Sequence, residues 1–168
     1  MNNFLNFKIV GSGPTGLLLA ITLSKLKFNI YLTDLLTREK LINKDKTYAI
    51  THSTRKILSK FNLWDKLNSF LYKFDSLSIS DSLTSDFTIL TTSDLDKDIS
   101  SLDSIGWVVK HSDLMNVFFD EIDKIENVIF KSVLDLSYED INFDYKFIST
   151  GANSNYKKNH NYFEFKKS

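Results

Sequence analysis

The chain opens on a short apolar run, Phe7-Lys8-Ile9-Val10, which a glycine-rich turn separates from a longer apolar stretch over residues 17–26. The short run predicts a buried strand and the longer one a helix. Asn29-Ile30-Tyr31-Leu32-Thr33-Asp34 then predicts a second strand that ends in an acid. Over residues 54–67, Ile57, Leu58, Phe61, Leu63, Trp64 and Leu67 fall at helical spacing, predicting an amphipathic helix that starts near a Ser53/Thr54 cap. Residues 76–80 and 87–90 are short β-like runs in a Ser/Thr/Asp-rich stretch reaching Ser104, which predicts exposed hairpins and loops. Beyond it, residues 106–110 predict a strand and residues 113–125 a helix capped by Ser112, with strands over 128–131 and 145–149. Strands and helices alternate without internal repeats, the pattern of an α/β fold.

The turn between the first strand and helix reads Gly11-Ser12-Gly13-Pro14-Thr15-Gly16, a G-x-G-x-x-G placed where a Rossmann-like βαβ unit carries it. Gly11 permits the tight turn, Gly13 lets a pyrophosphate approach the backbone, and Gly16 lets the helix pack on the sheet. Pro14 suits the first helical turn, where a missing N–H costs nothing. The free amides of that turn, Thr15 among them, and the positive end of the helix dipole then face the phosphates. Asp34 follows Gly16 at about the 20-residue separation at which an acid meets the adenosine ribose. No basic residue adjoins it, which argues against a ribose phosphate at this point. The motif alone does not separate FAD from NAD.

At 168 residues the chain is long enough for one domain with a substantial core. Its net charge of zero offers no footprint for nucleic acid or an anionic membrane. The absence of cysteine excludes disulfides and thiolate metal sites. Neither a secretory signal nor a transmembrane segment is visible, so a cytoplasmic location is expected, with peripheral membrane contact left open. His52, His111 and His160 share no ligand spacing and read as surface or hydrogen-bonded polar residues. Of the 21 basic residues only Arg38 and Arg55 are arginine. Lysine is therefore expected where related chains carry arginine, with charge kept and the bidentate fork lost.

Three stretches carry a resemblance: VGSGPTGLLLAITLSKLKFNIYLTD, then KTYAITHSTRKILSKFNLWDKL from Lys46, then Ile148-Ser149-Thr150-Gly151-Ala152-Asn153-Ser154-Asn155-Tyr156-Lys157. In this order they resemble the N-terminal part of the flavin-dependent aromatic hydroxylases of the p-hydroxybenzoate hydroxylase fold. Within that class the chain is most similar to the ubiquinone-biosynthesis hydroxylases. The first stretch resembles the FAD fingerprint and the second an R-x-x-A-L segment with its helix. The third resembles the Ala-Asp-Gly-Ala-Asn-Ser-x-x-Arg motif near the flavin pyrophosphate, and Ile105-Gly106-Trp107-Val108-Val109-Lys110 resembles a Leu-Gly-Tyr-Val-Val-Glu element. Thr150 stands where the family has Asp, and Lys46 and Lys157 stand where it has Arg.

The resemblance implies non-covalent FAD, NAD(P)H as reductant, and transfer of oxygen from O2 to the electron-rich ring of a small phenolic substrate. It implies Gly11, Gly13, Pro14, Thr15 and Gly16 at the pyrophosphate, Asp34 at the ribose, and Lys46, Thr150 and Gly151 nearer the middle of the flavin. No protein nucleophile or metal is required. The whole of residues 1–168 is expected to be a partial FAD-binding domain. Residues 1–70 would form the βαβ unit and following helix, 71–110 a β-rich insertion, and 111–168 a helix and strands returning to the sheet. The alternating Phe163-Glu164-Phe165-Lys166 reads as a strand. Because the family runs to more than twice this length, a truncated or split member is expected, with a second polypeptide as the candidate for completing it. A stand-alone FAD- or NAD-binding module and an inactive fragment are the alternatives.

Overall fold

The computed structural model of the chain describes residues 5–81, 83, 86–95, 104–132 and 142–151. In chain order the elements are β1 (Asn6–Val10), α1 (Pro14–Ser24), β2 (Asn29–Asp34), α2 (Arg38–Ile42), β3 (Thr47–Thr51), α3 (His52–Lys60) and α4 (Trp64–Leu67). They continue with β4 (Tyr72–Phe74), β5 (Ser76–Ser80), β6 (Phe87–Thr91), β7 (Gly106–Lys110), α5 (His111–Ile122), β8 (Val128–Ser132) and β9 (Tyr145–Ile148). The chain divides into two units, residues 1–41 with 119–168, and residues 42–118.

The first unit is a parallel sheet in the order β8-β2-β1-β9. Phe7 and Ile9 of β1 pair with Ile30 and Leu32 of β2, and all four side chains are buried. α1 lays Gly16, Leu17, Ala20, Ile21 and Ser24 inward, the i, i+3, i+4 stripe of a helix on a sheet. Leu17 and Ile21 are fully buried, each worth roughly 1.5–3 kcal/mol over exposure. The helix runs from Pro14 to Ser24 and not over 17–26. Gly13 precedes it in extended backbone and Pro14 supplies helical φ at its first position. At its other end the Asn127 amide donates to the Ser24 and Phe28 carbonyls at 3.2 and 2.7 Å. Lys27, at φ 59°, turns the chain into β2. Arg38 lies over Phe119 and donates to Asp123 at 2.6 Å and Asp120 at 3.4 Å, tying α2 to the end of α5.

The second unit centres on an antiparallel sheet, β3-β7-β4, with Trp107 and Val109 of β7 buried. The helix expected over 54–67 is two helices. Thr51 caps α3 by accepting the Thr54 amide at 3.3 Å, and Asn62 at φ 58° breaks the run before Trp64 starts α4. Left-handed backbone suits a helix end, and asparagine tolerates it better than most residues. α5 leaves β7 directly at His111, two positions before the expected start at Asp113, and stops at Ile122. β5 and β6 make a separate antiparallel hairpin whose positions are exposed apart from Thr91. No described helix is long and apolar enough to cross a membrane.

Candidate functional site

In the first unit the carboxyl ends of β1, β2 and β9 lie side by side, because β9 pairs with β1 on the edge opposite β2. The chain moves from β1 to β2 on one side and returns to β9 on the other, so a topological switch point lies at β1. Open parallel sheets bind ligands outside the strand ends at such a point. The turn that follows β1 is held tightly. The Gly11 amide donates to the Thr33 carbonyl at 2.8 Å, and the Ser149 amide donates to the Val10 carbonyl at 2.7 Å. The Ser149 hydroxyl donates to the Gly11 carbonyl at 2.7 Å.

The three motif glycines stand in different surroundings. Gly11 has φ +103°, and a Cβ there would lie 2.6 Å from the Ser149 carbonyl carbon and oxygen. A Cβ on Gly16 would overlap the Gly11 carbonyl oxygen and sit 2.8 Å from the Ser149 hydroxyl. Gly13 is different: its φ of −72° suits any residue, and a Cβ would meet nothing within 4 Å. Nothing in the described chain demands glycine at this position. Open space beside it, at the amino end of α1, is what a ligand pressed against the backbone would need. Pro14 occupies the first helical position, and the next amides, Thr15 and Gly16, lie in the turn where no helical carbonyl stands above them.

Asp34 ends β2 half-buried, and its carboxylate is already engaged. Oδ2 accepts the Ser12 amide at 2.7 Å and Oδ1 accepts the Leu36 amide at 3.0 Å. Each oxygen keeps a lone pair for another donor, so the same carboxylate can brace the glycine turn and accept from a ribose hydroxyl. Two hydroxyls complete the arrangement: Ser12 Oγ and Thr150 Oγ1 are both buried without a hydrogen-bond partner. A buried hydroxyl left unpaired costs free energy, and an oxygen-rich ligand at the turn would satisfy it. Gly151 follows at φ +81° beside open space. The open side of Gly13 and these two hydroxyls fit a diphosphate, whose oxygens accept from amides and hydroxyls alike.

Ser12 and Ser149 do not stand out in the sequence. Ser12 sits at a variable motif position and Ser149 at the place of a small apolar residue, and only the fold shows that their polar atoms meet the turn. Lys46 belongs to the second unit, where its carbonyl accepts the His111 amide at 2.8 Å. His111 is buried with Nδ1 3.0 Å from the Tyr48 hydroxyl, and His52 is buried with Nε2 donating to the Ser104 carbonyl at 2.8 Å. Burial raises the pKa of the Tyr48 hydroxyl above its usual value. Among the described residues no group of His, Asp and Glu could hold a metal ion. Residues 152–157 of the third motif, His160 and the strand expected over 163–166 lie outside the described residues.

No family model matches the chain. An uncharacterized protein of Synechocystis sp., slr1300, is 30% identical over 80 residues, covering 48% of this chain and 19% of that protein. Among solved structures, p-nitrophenol 4-monooxygenase PnpA from Pseudomonas putida DLL-E4 superposes with a TM-score of 0.62 at 19% identity. That superposition spans 79% of this chain and 32% of PnpA. PqsL of Pseudomonas aeruginosa, "a probable FAD-dependent monooxygenase", gives 0.58 at 12% identity over 77% of this chain and 33% of its own. The 2-methyl-3-hydroxypyridine-5-carboxylic acid oxygenase gives 0.60 at 13% identity, over 78% and 32%. The chain thus spans about a third of the length of the solved structures it matches, and it has the α/β fold, with its parallel sheet, that this third of each monooxygenase adopts.

Proposed function

We propose that this chain is the dinucleotide-binding portion of a flavin-dependent monooxygenase, with FAD as its ligand. The observation that carries the reading is Gly13, a glycine required neither by backbone conformation nor by any neighbour, at the amino end of a helix on the switch point of a parallel sheet. In this reading the Gly13, Thr15 and Gly16 amides and the Ser12 and Thr150 hydroxyls hold the pyrophosphate, while Pro14 starts the helix without presenting a donor. Asp34 accepts from the ribose hydroxyls, and Gly151 leaves room for the flavin chain. Phosphate charge is met by amides, hydroxyls and the helix dipole.

When bound, FAD supplies the redox and oxygen chemistry, taking electrons from NAD(P)H. The residues of this chain bind and orient it. The monooxygenases that share the fold support that assignment, and the resemblance of residues 46–67 and 148–157 to the ubiquinone-biosynthesis hydroxylases supports a phenolic ring as substrate. Catalysis belongs to the complete protein, which in those structures is about three times as long as the part matched here.

The test is a titration of the purified 168-residue chain with FAD, followed by flavin fluorescence and thermal melting, with NADH in parallel. Saturable FAD binding with a raised melting temperature is expected. A folded chain that binds neither dinucleotide would overturn the proposal, and one that binds NADH alone would reassign the site.

A further inference from the structure

The second unit holds a side-chain cluster that the dinucleotide reading does not use. Arg55 of α3 stands with its guanidinium carbon 5.2 Å from the ring centre of Trp64 and 5.2 Å from that of Trp107. The two indoles meet edge to face at 4.8 Å, and His52 packs edge-on against Trp107 at 4.8 Å. Both indoles are buried, whereas Arg55 is half-buried. Ser104, whose carbonyl holds His52, is fully buried, and its hydroxyl has no partner.

Arginine is rare in this chain, so its two occurrences can be compared. Arg38 stacks on Phe119 at 4.6 Å and spends its fork on Asp120 and Asp123. Arg55 likewise lies over aromatic rings, yet no carboxylate or other hydrogen-bond acceptor among the described residues takes its fork. Lysine serves nearly every other basic position, and a lysine would provide the charge alone. What arginine adds is a planar face for the indoles and donors spaced for two oxygens on one atom. The guanidinium lies within cation–π distance of both indoles. The donors remain.

We propose that Arg55, clamped by Trp64 and Trp107, is a receptor for an oxyanion, a phosphate or carboxylate group of a ligand other than the dinucleotide at the glycine turn. The clamp fixes the guanidinium before the anion arrives, so little side-chain entropy is lost on binding. The proposal stands independently of the FAD assignment, since none of its residues belongs to the first unit.

Trp64 and Trp107 are the two tryptophans of the chain, so fluorescence excited selectively at tryptophan reports on this cluster. The full chain is titrated with inorganic phosphate and, separately, with acetate, each against chloride at equal ionic strength. A saturable change with phosphate, acetate or both is expected, and the stronger arm identifies the group. Arg55→Lys should weaken it about ten-fold, one forked pair of bonds becoming a point charge, and Arg55→Met should abolish it. A response equal to that of chloride overturns the proposal. So does an Arg55→Met chain that melts normally and still titrates like the parent. If Arg55→Met fails to fold, Arg55→Lys decides: unchanged anion affinity in a folded Arg55→Lys chain leaves the arginine a packing residue only.

Discussion

Replacing Asp34 separates two roles that one carboxylate plays. In the free protein Oδ2 accepts the amide of Ser12, a residue with no exposed surface, and Oδ1 accepts the amide of Leu36. Asp34→Ala leaves the Ser12 amide without an acceptor and out of reach of water, which costs about 1–3 kcal/mol. The Leu36 amide is half-buried and regains water more readily, so it adds little. At this chain length each kcal/mol lowers the melting temperature by about 2–4 °C. Ligand binding falls separately. If the carboxylate also accepts from the ribose, adenosine dinucleotides lose about 1–3 kcal/mol, or roughly 5- to 150-fold in Kd. Inorganic pyrophosphate, which has no ribose, loses only what a loosened turn costs it. Asp34→Asn keeps one acceptor oxygen and should fall between the parent and Asp34→Ala in stability. Thermal melts and calorimetric titrations with ADP and pyrophosphate read both effects. A folded Asp34→Ala chain with parental ADP affinity would refute the ribose role. A parental melting temperature would refute the brace on the turn.

Gly13→Ala should change stability by less than about 1 kcal/mol, since the backbone there suits alanine and the space is open, yet weaken FAD binding at least ten-fold. Parental FAD affinity in that variant, measured by fluorescence, would remove the main support for the site. Gly16→Ala drives a Cβ into the Gly11 carbonyl and should cost about 1–3 kcal/mol with no ligand present, as chemical denaturation would show. Tyr48, whose pKa is raised by burial, should make stability independent of its ionisation below the ordinary tyrosine range. Ionising it then costs more in the folded than in the unfolded chain, so stability drops as pH rises from about 10 through the folded pKa. Melts from pH 8 upward should show the drop, and Tyr48→Phe should reduce it.

The parts of the fold legible in the sequence are those that local physics decides. β2 and β7 occupy the expected residues because buried strands read as uninterrupted apolar or β-branched runs. Helix ends are less legible. The apolar spacing from Leu58 to Leu67 continues across a break, because Leu58, Leu63 and Leu67 all reach the core although Asn62 turns the chain between them. Ile57, on the same spacing, is exposed. The turn glycines stand out as a motif, but what separates Gly13 from Gly11 and Gly16 is where Ser149 and the turn's own carbonyls lie in the fold. Pairing is non-local as well. Nothing near Tyr145 announces that β9 lies beside β1, and it is that neighbour that brings Ser149 and Thr150 to the glycine turn.

The most direct test of a dinucleotide at this turn is a nitrogen-15 amide spectrum of the chain, recorded during an FAD titration. The largest shifts should fall on Gly13, Thr15, Gly16, Asp34, Thr150 and Gly151, with the hairpin of β5 and β6 unmoved. Saturable FAD binding whose shifts leave residues 11–16 untouched would contradict the assignment and place the ligand elsewhere on the chain.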